Sequence, residues 1–193
     1  MSERIDLEPA GNALLTTLAS VEDDHLDRPT PCFGHTVGEL LQHLVTATRT
    51  LRAAAEKDFG PMTELKLHPD HWPALEDGWR AALEEQVPQL VQAWREDSAW
   101  EGTTRGGALD VPAEVAGHIT TDELVLHGWD LARAIGQDYT LDESIAASSL
   151  EFLSTFGEDG THPPAEPIPV ADDAPVLDRL LALSGRDPHW SPG

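Results

Sequence analysis

The sequence predicts an all-α protein: a four-helix bundle with one additional helix and an irregular, proline-rich tail. Three observations carry this expectation. Four long segments space their apolar residues three and four apart, the repeat of a helix face. Several of them open on a capping residue or close on a glycine. No stretch reads as a convincing strand, with apolar and polar residues in strict alternation. The chain has 193 residues, enough for one sizeable core, so a single domain over residues 1–193 is expected.

The first helix is placed at residues 5–21, where Leu7, Leu14, Leu15, Leu18 and Val21 form the stripe. Residues 27–34 hold Pro29, Pro31 and Gly34 and read as a loop. Thr36 followed by Glu39 is a capping box, opening a second helix over 36–57. Its inward stripe is Val37, Leu40, Leu41, Leu44, Thr48 and Leu51, and His43 lies beside it. Residues 58–70 form a long linker with Gly60, Pro61 and Pro69. About 13 extended residues reach roughly 40 Å. A 20-residue helix is roughly 30 Å long, so this linker can cross the bundle. The third helix is placed at 72–96, with Leu75, Trp79, Leu83, Val87, Leu90, Val91 and Trp94 inward. Pro88 inside it is expected to kink it or remove one backbone bond. Residues 98–110 read as a loop containing Gly102, Gly106 and Gly107. Asp110 is expected to cap a fourth helix over 111–136, closing on Gly136. Asp142 caps a fifth over 142–156. Prolines and acids from 157 to 175 mark an extended surface connection, and a short helix follows at 176–183. Trp190 is expected to dock, since an aromatic ring buries much apolar area.

Composition narrows the function. Lys and Arg number 12 against 35 Asp and Glu, a formal net charge of -23. Nucleic-acid binding needs a basic footprint, and so does docking on an anionic membrane; neither partner is expected. No apolar run reaches the roughly 18 residues of a membrane span. The N-terminus lacks the basic and apolar regions of a secretory signal. Cys32 is the only cysteine, so an intrachain disulfide is excluded and cytoplasmic residence is expected.

The fourth helix carries the chemistry. Glu123 and His127 stand four apart, so one lies above the other on a single face. Leu124, Val125 and Leu126 between them are apolar, and burying a carboxylate or imidazole without a partner is costly. A metal ion would be such a partner. With His43 added from the second helix, two nitrogens and a carboxylate would leave coordination positions open, as catalytic metal sites do. Zinc suits that donor set, and nickel or iron also bind it. The residues alone leave a second reading open: an ordinary i,i+4 pair worth about 0.2–0.5 kcal/mol. Asp130, three residues past His127, would orient that imidazole by accepting its hydrogen bond. Trp129 reads as packing. Cys32 is expected to be a buried loop residue about three turns from His43, too far to join it. His35, roughly 12 Å along a helix from His43, is likewise expected to stay outside. His118 and His162 have no evident partners, and His68 and His71 are expected at the surface of the linker.

These residues also carry a family resemblance. Residues 30–44, Thr-Pro-Cys-Phe-Gly-His-Thr-Val-Gly-Glu-Leu-Leu-Gln-His-Leu, resemble the opening of the second helix in actinobacterial proteins similar to mycothiol-dependent maleylpyruvate isomerase. The wider group is the DinB-like four-helix-bundle metalloenzymes. Residues 123–132 resemble the second metal segment of the same family, Glu-x-x-x-His-x-Trp-Asp-Leu-Ala, and residues 183–188 resemble its C-terminal motif. The resemblance implies a left-handed bundle with a crossover, and it makes His43, Glu123 and His127 the metal ligands. Two departures stand out. Relatives often have Trp where this chain has His35. Isomerase relatives also carry a further C-terminal domain that contributes an important arginine. Too little chain follows the fifth helix here to hold one, which bears against maleylpyruvate as the substrate.

The function expected from the sequence is that of a divalent-metal enzyme, with zinc as the first choice of ion. It would use a low-molecular-weight thiol, mycothiol by resemblance, for S-transfer or isomerisation of a small electrophile. Metal-hydroxide hydrolysis on the same scaffold is one alternative. Non-catalytic metal or ligand binding is another. The expected partners are the thiol and the electrophile, and a homodimer is left open.

Overall fold

The computed structural model describes residues 4–32, 34–64, 74–106, 109–155 and 165–192. Helix α1 spans Glu8–Leu18, α2 Val37–Glu56, α3 Trp79–Trp94, α4 Asp97–Trp100, α5 Ala113–Ala134, α6 Glu143–Ser154 and α7 Val176–Leu183. Strands β1 (Thr103–Gly106) and β2 (Leu109–Pro112) form one antiparallel hairpin. Helices α1 and α2 each pack against both α3 and α5, which closes a ring of four. The all-α bundle expected from the sequence is therefore the fold. Leu14, Leu40, Leu44, Leu83, Leu90, Leu124 and Leu131 are fully buried at its centre. Helices α6 and α7 pack on each other, and α6 rests on α5. No helix among the described residues is long and apolar enough to cross a membrane.

The start of α2 follows the capping logic of the sequence. Thr36 Oγ1 accepts from the Glu39 amide, and Glu39 Oε2 accepts from the Thr36 amide at 2.8 Å. That backbone N–H of Thr36 holds the Glu39 carboxyl below its ordinary value, against a smaller opposing effect of burial. The sign follows from linkage. The contribution is present above the unfolded carboxylate value and is lost as pH falls through the depressed folded one. Glu39→Gln should therefore flatten the acid limb of the stability profile. Urea midpoints taken from about pH 7 to about pH 3 check this, and an unchanged acid limb defeats it.

The third helix begins later than its apolar pattern suggests. Residues 74–78 are not helical, and Gly78 at φ 81 stands at the N-cap of α3. A left-handed glycine sets the chain's direction there and cannot lie inside the helix. The predicted start at 72 falls among residues 65–73, outside the described set, as does the end of the fifth helix at 156. Helix α3 continues through Pro88.

The loop expected at 98–110 is structured instead. It contains most of α4 and the hairpin, registered Thr103↔Pro112 and Thr104↔Val111. Thr104 Oγ1 donates to the Ala54 carbonyl, which pins the hairpin to α2. Four-residue strands with one such anchor give too little alternation to be read from sequence. Asp110 does not cap α5 but lies in β2, where its carboxylate meets Arg105 at 3.0 Å. Pro112 occupies the N-cap, and the Ala113 amide donates to Gly102 O. Trp100 lies against Gly117 of α5, where a Cβ would come within 2.4 Å of the ring. At its far end α5 closes as predicted on Gly136, at φ 76. Trp190 is half-buried against the core, and the Arg133 guanidinium grips its carbonyl at 2.7 Å.

Candidate metal centre

Helices α2 and α5 bring His43, Glu123 and His127 together. Histidine 43 lies on the α2 face turned to α5, and Glu123 and His127 share one face of α5. His43 Nε2 is 2.9 Å from Glu123 Oε2, and His127 Nε2 is 3.2 Å from the same oxygen. The two imidazoles stand edge to face, with centroids 4.9 Å apart and an interplanar angle of 79°. Ligand atoms of all three residues lie within 4.8 Å of one another. Both histidines are buried, while the Glu123 side chain keeps 26% of its exposure. The cluster therefore reaches solvent on its carboxylate side.

Its electrostatics are tightly balanced. Burial works against the Glu123 charge, but the adjacent imidazoles of His43 and His127 hold its carboxyl well below the usual range. Burial likewise opposes charge on His127, yet Glu123 and the hydrogen bond to Asp130 raise it well above the ordinary imidazole value. Asp130 Oδ2 faces His127 Nδ1 at 3.0 Å. The Asp130 carboxyl is fully buried; that burial is outweighed by Arg186, so its value is lowered.

Several sequence expectations change. Position along α2 puts Cys32 too far from His43 to join the site, but the fold brings it close to α5. Its thiol is buried, and its sulfur lies within 4.8 Å of ligand atoms of His127 and Asp130. The reason is the fold of the loop. Pro29 and Thr36 form an antiparallel bridge, and the Thr30 amide donates to His35 O, so the chain doubles back before α2. Counting turns along α2 measures distance from His43 and not from α5. His35 stays at the cap, 3.7 Å from Glu39 Oε2. His118 has partners after all: it stacks on Phe152 with centroids 4.7 Å apart and meets the Trp100 edge. Burial pushes its imidazole down. Trp129 packs in the core. His68, His71 and His162 lie outside the described residues.

Sequence reasoning gave Arg186 no role beyond its place in a tail motif. It is buried, and its Nε and Nη2 donate to the two Asp130 oxygens, each at 2.8 Å. The signal available was the motif itself, Ser184-Gly185-Arg186, directly after α7.

The donor chemistry fits a divalent ion. Two imidazole nitrogens and one carboxylate oxygen are a common zinc set, and ligand atoms on tetrahedral zinc stand about 3.3 Å apart. The observed 2.9 and 3.2 Å separations need only a small outward shift. Fold and cluster together define a helical-bundle protein with a two-histidine, one-carboxylate constellation in its core. The family model of the mycothiol maleylpyruvate isomerase N-terminal domain matches residues 7–132, and the chain belongs to that family. An uncharacterised protein of Mycobacterium tuberculosis, in strains CDC 1551 / Oshkosh and ATCC 25618 / H37Rv, is 27% identical over 181 residues. That match covers 92% of this chain and 93% of the relative. The crystal structure of a mycothiol-dependent maleylpyruvate isomerase is similar at TM-score 0.58 and 19% identity. It covers 81% of this chain and 71% of that one, and a point mutant of the isomerase gives 18% identity at the same TM-score. At that identity the likeness shows the fold.

Proposed function

We propose that His43, Glu123 and His127 hold a divalent metal ion, zinc by donor chemistry, in an enzyme that acts with a low-molecular-weight thiol. The observation that carries this reading is the convergence of both Nε2 atoms on Glu123 Oε2. Three protein ligands leave room for a further one, the arrangement of catalytic zinc sites. A bound zinc would lower the pKa of a coordinated thiol and leave it a thiolate at neutral pH. The chain's own residues do the rest. His43 and His127 would each offer a ring nitrogen to the ion, Glu123 would offset part of its charge, and the partly exposed side of Glu123 would leave an approach for the thiol. Family membership and the likeness to a mycothiol-dependent isomerase support mycothiol as that thiol. S-transfer to, or isomerisation of, a small electrophile then follows as the reaction class. A free, buried Cys32 accords with a reducing cytoplasm.

Two measurements test this. Wild-type protein should bind one equivalent of zinc, and His127→Ala should lose it; unchanged stoichiometric zinc in the variant sinks the ligand assignment. Cobalt-loaded protein should show a thiolate-to-cobalt charge-transfer band when mycothiol is added. If the spectrum ignores the thiol, the thiol reading fails even where the ion binds.

A further inference from the structure

The Arg186–Asp130 pair is the most enclosed charged contact among the described residues, and its geometry is one-sided. Asp130 is 0% exposed and Arg186 5%. Arg186 Nε takes Asp130 Oδ1, while Nη2 and His127 Nδ1 both meet Oδ2. The remaining nitrogen, Nη1, faces Ser184 Oγ at 3.2 Å. Helix α7 ends so as to aim this side chain inward. Gly185 adopts φ 80, and the Arg186 amide donates to Leu181 O at 2.8 Å. A planar guanidinium bound through two nitrogens fixes the carboxylate plane as well as its position. An ionised carboxylate only accepts hydrogen bonds, so His127 must keep its proton on Nδ1 and present Nε2 to Glu123 and His43.

We propose that Arg186 is a positioning residue for the metal centre, acting through Asp130 to fix the ring orientation and proton placement of His127. This rests on the metal-site reading above. It makes the C-terminal segment after α7, which lies beyond the residues 7–132 matched by the family model, part of the site. A purely structural tail would hold the fold together without touching the ion's affinity. Arg133 supplies the comparison, since it grips the same tail at the Trp190 carbonyl without contacting Asp130.

The experiment uses the full chain with Arg186→Met, Arg186→Lys and Arg133→Met. Zinc affinity is read by competition with a chromophoric chelator, and the His127 Nδ1 proton is read by nitrogen-edited NMR on metal-free protein. Arg186→Met should weaken zinc binding about 10- to 100-fold, as loss of an outer hydrogen-bond partner typically does. The Nδ1 proton should also lose its protection against exchange, since the carboxylate that accepts it is no longer held in one plane. Arg186→Lys should recover part of both, and Arg133→Met should change neither. Wild-type affinity and an equally protected Nδ1 proton in Arg186→Met overturn the proposal, and so does an equal affinity loss in Arg133→Met. Should Arg186→Met fail to fold, Arg186→Lys decides: a partial loss supports the proposal and wild-type values overturn it. A wild-type chain that binds no zinc sinks the metal reading alone, because the Nδ1 proton still decides the positioning role.

Discussion

Glu123→Gln should weaken zinc binding by more than about a hundredfold, beyond the 10- to 100-fold typical of outer-partner losses. The carboxylate is the only anion in the three-residue cluster, and its Oε2 is the atom on which both imidazoles converge. A neutral amide of the same size leaves the helix face and the packing nearly unchanged. It removes the charge that offsets the ion's own, and an amide oxygen is a weaker ligand for zinc than a carboxylate. The metal-free fold should tolerate the change better than the ion does. The Glu123 side chain is 26% exposed, so its pairing with the imidazoles is partly screened by water. Chelator competition on the variant, with a thermal melt of the metal-free protein beside it, separates the two effects. Affinity within a few-fold of wild type would remove Glu123 from the ligand set.

The three-residue cluster was legible because His43, Glu123 and His127 sit on two long, strongly patterned helices. Helical period alone places Glu123 and His127 on one face, and the apolar stripe of α2 places His43 beside the core. That α2 and α5 face each other is a tertiary fact, and only the family motif stood in for it. What the sequence hid falls where no period operates. The hairpin at Thr103–Gly106 and Leu109–Pro112 is too short to show alternation and is held by the Thr104–Ala54 bond between distant segments. Cys32 reaches His127 because the loop between Pro29 and Thr36 doubles back. Arg186 sits 56 residues beyond Asp130 and enters through an irregular turn after α7. A buried arginine in a chain this acidic needs an anion for a partner. Sequence supplies 35 candidates and no means of choosing among them.

Asp130→Leu should destabilise the metal-free protein by about 3–5 kcal/mol, the usual cost of leaving one partner of a buried ion pair alone. The carboxylate is fully enclosed and holds both Arg186 and His127, so its loss leaves the guanidinium with Ser184 Oγ as its remaining side-chain hydrogen bond among the described residues. Typical domains are stable by about 5–15 kcal/mol, so the variant should still fold in the cold and unfold at much lower urea. Urea titrations without metal give the figure free of any contribution from a bound ion. The informative step is the second substitution. Asp130→Leu with Arg186→Met replaces both charges by apolar groups, and such replacements of buried pairs are often neutral or stabilising by about 1–4 kcal/mol. Stability should therefore return in the double variant. Zinc affinity should not, because the carboxylate that faces His127 Nδ1 and fixes the ring is then gone. Recovery of both would mean that the pair serves packing alone. Recovery of stability with affinity still lost would show that a chain of buried charges, weak as a source of stability, is retained for the geometry it imposes on His127.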